Sequence, residues 1–299
     1  MGPLSYFCFM PKQPHSLLNL RRKLQQSLLQ SQTQSEATAM SMRILEHLGY
    51  PSARVLSEPG EAVGPETRAQ INEIVSEIHR GRPLQYVLGS CIFDELHLLV
   101  DERVLIPRPE TEEMLYQMVD FVKKPPQRIV DLGTGSGCLA LALKKRFPFA
   151  EVWGIDLSDG ALNLARENAG RNDLAVQWKR ADILHAKAIE QLPDDIDLLV
   201  SNPPYVCESE KKRMERKVLE YEPALALFVE DHDPLRYYRA IARMAKRKLK
   251  PGGMVWVEIN ERFGKETASL FDDKSFSHSG LLKDIHEKDR FVYAKRCRP

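Results

Sequence analysis

The segment Ser201-Asn202-Pro203-Pro204-Tyr205 combines residue types that suit the binding of a planar amino group. Two consecutive prolines fix the backbone and lack N–H groups, so the loop offers carbonyl oxygens as acceptors. The two hydrogens of an NH₂ group can therefore go to the Asn202 side-chain oxygen and the Pro203 carbonyl, while the plane of the group packs on Tyr205. Because an amide or aromatic amine is a weak nucleophile, such orientation would itself be catalytic. Asn202, Pro203 and Tyr205 are the predicted catalytic residues, and Pro204 completes the predicted substrate slot.

A glycine-rich segment, Asp131-Leu132-Gly133-Thr134-Gly135-Ser136-Gly137, is the second candidate. Its glycines permit a left-handed backbone and the close approach of a ligand, and a following helix would present free N–H groups. The dinucleotide-binding pattern would need glycine at position 138, where the chain has Cys138. Asp131 would repel a pyrophosphate but attract an ammonium or sulfonium, and Asp156 is placed to accept ribose hydroxyls. The two acids favour S-adenosylmethionine over NAD, whereas the glycines alone are also typical of a structural turn.

An alternation of predicted strands and helices positions both segments. Strands are expected at residues 128–132, 151–155, 175–179, 196–200 and 254–259, and helices at 138–147, 159–169 and 235–249. Such alternation indicates right-handed crossovers and a mostly parallel sheet in an α/β fold. Residues 290–295 follow a turn, so we expect an antiparallel strand at the sheet edge. An Asn-Pro-Pro-Tyr segment in isolation is equally typical of a plain turn, but its place at the carboxyl end of a strand favours a site.

The first third of the chain has helical spacing. Apolar residues recur three and four apart over residues 17–29 and 40–48, and Pro65 predicts the start of a third helix. These helices predict a small N-terminal bundle. Residues 86–105 are rich in Val, Leu, Ile and Phe, which predicts a β-hairpin.

Composition excludes several classes of protein. The chain has 299 residues, which corresponds to two domains at about 150 residues each. Its formal net charge of +1 gives no overall attraction for a polyanion. No apolar run approaches the ~18 residues of a membrane-spanning helix, so we expect no membrane partner. Five cysteines without CxxC spacing favour neither a zinc site nor a disulfide framework, and we expect no metal and a reducing compartment.

We expect a cytoplasmic location. Residues 1–35 contain basic residues and no acid, which loosely resembles an organelle transit peptide. A mitochondrial location is therefore an alternative.

Together these residues resemble a known family. The glycine-rich segment, Asp156 and residues 202–205 look like a class I methyltransferase that methylates nitrogen. Further segments, residues 81–86, 106–112 and 222–227, resemble the peptide chain release factor glutamine methyltransferases (the HemK/PrmC family), and the likeness runs from about Ser16 to Ala294. The resemblance implies a Rossmann-like methyltransferase sheet with an N-terminal helical domain. It also implies methyl transfer from S-adenosylmethionine to the amide nitrogen of the glutamine in the Gly-Gly-Gln motif of class I release factors.

The resemblance also implies domains and residue roles. We expect a leader at residues 1–15, a helical substrate-docking domain at 16–84, a hairpin linker at 85–109 and the methyltransferase domain at 110–299. The residues expected to bind the cofactor are Asp131, Gly133, Thr134, Gly135, Ser136, Gly137, Asp156, Asp182, Ile183 and Asn202. Ile183 is aliphatic where some relatives have an aromatic ring on the adenine.

Two alternatives stay open. Arg108 and Glu110 either line the site or form a salt-linked corner between a strand and a helix. The segment at 202–205 would also serve the exocyclic amine of adenine, so an adenine-N6 nucleic-acid methyltransferase is the second hypothesis. That enzyme needs a basic groove for phosphates. The glutamates of the N-terminal bundle, Glu58, Glu61, Glu66, Glu73 and Glu77, argue against such a groove there, and we expect no stable nucleic-acid binding.

Overall fold

The computed structural model describes residues 16–185 and 187–297. The chain forms two compact units, the first ending at Leu88 and the second beginning at Gly89. The leader expected at residues 1–15 lies outside the described residues.

The first unit is a bundle of helices, as the spacing of its apolar residues predicts. Its helices are α1 (Leu17–Leu28), α2 (Gln34–His47), α3 (Ser52–Ser57), α4 (Pro65–His79) and α5 (Leu84–Leu88). Thr33 begins α2 with a capping box that includes Glu36, so two N–H groups at the helix start are satisfied. The core is aliphatic, with Leu17, Ile44 and Leu45 fully buried.

The predicted hairpin is present but shorter than expected. Strands β1 (Ser90–Phe93) and β2 (Leu96–Leu99) pair antiparallel. They are joined by Asp94 and Glu95, whose φ angles of 46° and 60° fit a two-residue turn of type I′. The prediction was wrong for residues 86–88, which belong to α5 because Leu88 packs into the core of the helical bundle. It was also wrong after β2, where no regular strand follows.

The remaining elements of the second unit alternate as predicted. They are α6 (Pro109–Phe121), β3 (Arg128–Leu132), α7 (Cys138–Arg146), β4 (Glu151–Asp156), α8 (Asp159–Arg171), β5 (Gln177–Arg180), α9 (Ala188–Gln191), β6 (Ile196–Ser201), β7 (Val206–Cys207), α10 (Arg216–Tyr221), α11 (Ala224–Leu227), β8 (Phe228–Val229), α12 (Arg236–Lys248), β9 (Leu249–Glu258), α13 (Gly264–Ser269), β10 (Phe276–Lys283) and β11 (Asp289–Arg296). Short 3-10 helices occupy Glu208–Arg213 and Glu261–Phe263.

A seven-stranded sheet forms the centre of this unit, in the order β10-β11-β9-β6-β3-β4-β5. The five strands from β9 to β5 are parallel to one another, and β11 is antiparallel to β9. The chain leaves β3 toward β4 and β5 and then returns to β6 on the other side of β3. The strand order therefore reverses between β3 and β6, which is where open α/β sheets bind ligands.

The antiparallel strand at the C-terminal end is present, but its place in the sheet differs from the prediction. Strand β11 lies between β9 and β10, and the sheet edge belongs to β10, which was not predicted. Most of β10 is exposed or half-buried, so its sequence lacks the alternation that marks a strand with one buried face.

The turn between β10 and β11 contains a buried ion pair. Asp284 accepts hydrogen bonds from the backbone N–H groups of His286 (2.9 Å) and Lys288 (3.0 Å) through Oδ1. Its Oδ2 accepts one from Arg290 Nε at 3.1 Å. The two side chains are only 1% and 14% exposed. Burial alone would raise the pKa of Asp284, but the backbone donors and the guanidinium outweigh it, so the pKa is lowered.

Replacing Asp284 by alanine is expected to reduce the free energy of unfolding by about 3–5 kcal/mol, because the largely buried Arg290 would lose the carboxylate that it bonds to and keep a hydrogen bond of 3.4 Å to the Ile259 carbonyl. Urea denaturation measures this, with Asp272→Ala at a nearby exposed position as the control. The lowered pKa also determines how the stability depends on pH. The contribution of ionised Asp284 to the free energy of unfolding is complete above the pKa of an unfolded aspartate, about 3.9. It is lost as the pH falls through the lower pKa of Asp284 in the folded state. A loss below about 1 kcal/mol in Asp284→Ala would contradict a structural role for the pair.

Candidate active site

The two segments singled out in the sequence lie side by side. Leu132 at the end of β3 is paired with Ser201 at the end of β6, and the Ser201 hydroxyl donates to the Leu132 carbonyl at 2.7 Å. A Cβ placed on Gly133 would lie 3.9 Å from the Asn202 carbonyl oxygen. The glycine-rich turn and the Asn-Pro-Pro-Tyr loop therefore form the two sides of the crevice where the strand order reverses.

The glycine-rich turn is tied to the end of β4. The N–H groups of Gly133 and Thr134 both donate to the Ile155 carbonyl, at 2.8 and 2.9 Å. Gly137 begins α7 with φ at 82°, and a Cβ there would lie 2.9 Å from the Trp178 ring. Only glycine meets both constraints without strain, which explains its presence at this position.

Asp131 is buried at the base of this turn. Its Oδ2 accepts a hydrogen bond from the Thr134 hydroxyl at 2.6 Å, while Oδ1 has no partner among the described residues. Burial raises the pKa of Asp131 to about 7, with the charge of Asp156 adding to the effect and Thr134 opposing it. An unsatisfied buried carboxylate oxygen suits a cationic or N–H group on a ligand.

Asp156 ends β4 and connects the glycine turn to the cleft. Its Oδ2 accepts from the Gly135 N–H and its Oδ1 from the Ser158 N–H, each at 2.9 Å. Burial raises the pKa of Asp156, and these backbone donors oppose the rise. Each carboxylate oxygen keeps a further lone pair, so the group can also accept hydrogen bonds from a ligand in the cleft.

Two neighbouring cavities contain most of the predicted site residues. An open cleft of about 820 Å³ is lined by Gly133, Gly135, Asp156, Asp182, Ile183, Pro203 and Pro204. A smaller cavity of about 370 Å³ is lined by Asp131, Gly133, Thr134, Gly135, Ser136 and Asn202. Gly137 and Tyr205 line neither cavity.

Asn202 is held in one orientation by a neighbouring hydroxyl. Its Nδ2 donates to the Thr111 Oγ1 at 2.9 Å. With Nδ2 engaged, Oδ1 is the side-chain atom that can accept a hydrogen bond. No donor within residues 16–185 or 187–297 reaches the Pro203 carbonyl, which is the second acceptor that the sequence predicts.

Tyr205 is anchored by its hydroxyl group and by the core. Its hydroxyl donates to Glu258 Oε1 at 2.9 Å, and its ring packs against the hydrophobic core of the second unit. Burial raises the pKa of Tyr205 well above its ordinary value, and Glu258 adds to the effect. The packing of a substrate amide on this ring stays a prediction.

Arg108 and Glu110, which were expected either to line the site or to form a corner, lie in different places. Arg108 donates to Glu222 Oε1 at 2.7 Å and also lines the smaller cavity, so it both fixes a corner and borders the site. Glu222 is buried and accepts a second bond from the Ile106 N–H. Glu110 lines a different surface pocket with Tyr116.

Several residues at the site were missed by the sequence analysis. The larger cleft is also lined by Arg103, Val104, Leu105, Leu157, Ser158, Ala161, Leu225, Ala226 and Tyr237. Leu225 and Ala226 belong to the segment 222–227 that carried part of the resemblance, so that signal was available. Tyr237 lies on α12 among apolar and basic residues, and its spacing is that of an ordinary helix.

Neither a metal cluster nor a membrane helix is found in the part of the chain that the structure describes. Within it, no three His, Cys, Asp or Glu side chains are grouped so that they could hold a metal ion. Its helices are too short or too polar to cross a bilayer.

Comparison with solved structures shows the fold. A methyltransferase from Pyrococcus furiosus is similar in fold, with a TM-score of 0.51, 16% sequence identity, and coverage of 79% of this chain and 100% of that chain. Residues 113–222 match the sequence family described as the methyltransferase small domain, and residues 19–89 match the PrmC N-terminal domain. The second unit thus has a methyltransferase-like fold, and it contains the segment that matches this methyltransferase family.

Curated relatives identify the family. The release factor glutamine methyltransferase of Bacteroides thetaiotaomicron is 38% identical over 277 residues, which is 91% of this chain and 98% of that protein. The enzyme of the same name from Flavobacterium psychrophilum is 42% identical over 227 residues, which is 75% of this chain and 79% of that protein. The chain belongs to the release factor glutamine methyltransferase family.

Proposed function

We propose that this chain transfers a methyl group from S-adenosyl-L-methionine to the side-chain amide nitrogen of a glutamine. The proposed glutamine is that of the Gly-Gly-Gln motif in class I peptide chain release factors, which would be its protein partners in the cytoplasm. The observation that carries the proposal is the Asn202 amide, oriented by Thr111 and adjacent to the glycine-rich turn. The names of the relatives specify a release factor and glutamine. The Gly-Gly-Gln motif is part of the proposal because the sequence resemblance implies it.

S-adenosylmethionine fits the residues of the two cavities. The unpartnered Oδ1 of buried Asp131 matches an ammonium or sulfonium centre. Asp156 has lone pairs left for ribose hydroxyls, and the apolar side chains of Leu157 and Ile183 give a wall for a purine ring. When bound, S-adenosylmethionine supplies a methyl group on a positively charged sulfur, which is a strong electrophile.

The protein residues would act by orienting the substrate amide. A carboxamide nitrogen is a weak nucleophile because its lone pair is delocalised into the carbonyl group. The Asn202 Oδ1 and the Pro203 carbonyl would accept the two hydrogens, which aims the nitrogen toward the donor. Because Pro203 is buried in a loop fixed by two prolines, these acceptors need no rearrangement when the substrate binds.

Methyl incorporation by the purified full-length chain tests this proposal. We expect radioactive methyl groups from labelled S-adenosylmethionine to enter a class I release factor, and tandem mass spectrometry to locate them on the Gly-Gly-Gln glutamine. A release factor with that glutamine changed to alanine is the matched control and should stay unlabelled. Labelling of double-stranded DNA at adenine, with none in the release factor, would overturn the proposal in favour of the adenine-N6 hypothesis.

A further inference from the structure

Glu258 is a buried carboxylate to which the proposed function gives no role. It ends β9, is 0% exposed, and accepts two side-chain hydrogen bonds. Its Oε2 accepts from the Thr111 hydroxyl at 2.7 Å, and its Oε1 accepts from the Tyr205 hydroxyl at 2.9 Å. A carboxylate in this position is costly to bury, so it needs both donors.

The two hydrogen bonds link Glu258 to both ends of the Asn-Pro-Pro-Tyr loop. Tyr205 is bound directly, and Asn202 is bound through Thr111, which accepts from the Asn202 Nδ2 at 2.9 Å. One buried group on β9 thereby holds a loop that follows β6 and a side chain at the start of α6.

The direction of this hydrogen-bond chain determines which way the Asn202 amide points. An ionised carboxylate only accepts, so the single proton of the Thr111 hydroxyl must point to Glu258. The hydroxyl oxygen can then only accept from its other neighbour, which selects the NH₂ end of the Asn202 amide. The Oδ1 end is left for a ligand. With no carboxylate at position 258, the hydroxyl proton could turn to Asn202 and favour the flipped amide, which presents a donor to the cleft.

We propose that Glu258 and Thr111 are positioning residues, which fix the Asn202 amide in the orientation that accepts a hydrogen bond from the substrate nitrogen. The inference rests on the proposed function, because it assigns the reason why Asn202 can serve as an acceptor.

Glu258 fixes this hydrogen-bond direction in its ionised form, which its burial disfavours and its hydrogen-bond donors favour. Burial raises its pKa, and the hydrogen bonds from Thr111 and Tyr205 and the charge of Arg290 oppose the rise. Arg290 is itself held by Asp284. The charge of Glu110 adds slightly to the rise.

The test compares two substitutions that remove one buried hydroxyl each. Thr111→Val keeps the side-chain shape and breaks the chain to Asn202. We expect its kcat for release-factor methylation to fall about tenfold or more, with KM for the release factor and Kd for S-adenosylmethionine within about twofold. Thr267→Val is the matched control, because the Thr267 hydroxyl is also buried but has no hydrogen-bond partner in the described part of the chain. Its kcat should stay at the wild-type value.

If Thr111→Val folds poorly, two further variants test the same hydrogen bonds. Thr111→Ser restores a hydroxyl and should recover kcat to within about threefold of wild type. Glu258→Leu removes the acceptor of the Thr111 proton, so its kcat should fall about as far as that of Thr111→Val. Wild-type kcat in folded Thr111→Val or in folded Glu258→Leu would overturn the inference, as would a failure of Thr111→Ser to recover activity while it binds S-adenosylmethionine normally. A wild-type chain that does not methylate the release factor would instead overturn the proposed function.

Discussion

Replacing Asn202 by alanine is expected to lower kcat for methyl transfer about 10²- to 10³-fold while changing the Kd for S-adenosylmethionine by less than about twofold. The loss is large because the Asn202 Oδ1 is one of two proposed acceptors that fix the reacting nitrogen. The cofactor affinity is preserved because its main polar partners, Asp131 and Asp156, lie on the other side of the crevice. Single-turnover kinetics with a release factor, together with calorimetric titration of the cofactor, separate the two effects.

Asn163→Ala provides a matched control for this variant. Asn163 lies exposed on α8, and among the described residues its side chain bonds only to Arg166 on the same helix, so its removal should leave both constants unchanged. If Asn202→Ala retained kcat within about threefold of wild type, the orientation role would be refuted.

The glycine-rich turn and the Asn-Pro-Pro-Tyr loop could be predicted because each is contiguous in sequence. Alternation of strands and helices implied a parallel sheet, and the carboxyl ends of its strands were therefore expected to meet at one edge. This rule was sufficient to predict that Gly133 and Asn202 lie close together, although they are far apart in the chain. The structure confirms the fold that it implied.

The residues behind the loop could not be predicted in the same way. Glu258 follows an apolar run in β9, so its local sequence indicates only the end of a strand. Its partners Thr111 and Tyr205 are 147 and 53 positions away. Hydrogen bonds between distant segments depend on strand order and register, and no local pattern records them. The same limitation applies to Tyr237, whose place in the cleft depends on how α12 packs on the sheet.

The structure also gives Asp156 a wider role than the sequence indicated. The position of Asp156 at the end of β4 predicted that it accepts hydrogen bonds from ribose hydroxyls. The two hydrogen bonds that it accepts from Gly135 and Ser158 show that it also fixes the shape of the glycine-rich turn. A single carboxylate thus couples the backbone around the proposed methionine site to the proposed ribose site, and its removal should affect both.

Asp156→Ala is therefore expected to raise the Kd for S-adenosylmethionine about 10- to 100-fold, the scale of losing hydrogen bonds to a charged group. The kcat at saturating cofactor should fall much less, because Asp156 lies away from the proposed amide slot. Calorimetric titration measures the affinity, and thermal unfolding without cofactor reports the separate loss of the bonds to Gly135 and Ser158. Asp159→Ala, at an exposed carboxylate paired with Arg180, is the control and should bind normally. An unchanged Kd in Asp156→Ala would show that this carboxylate stabilises the turn without contacting the cofactor.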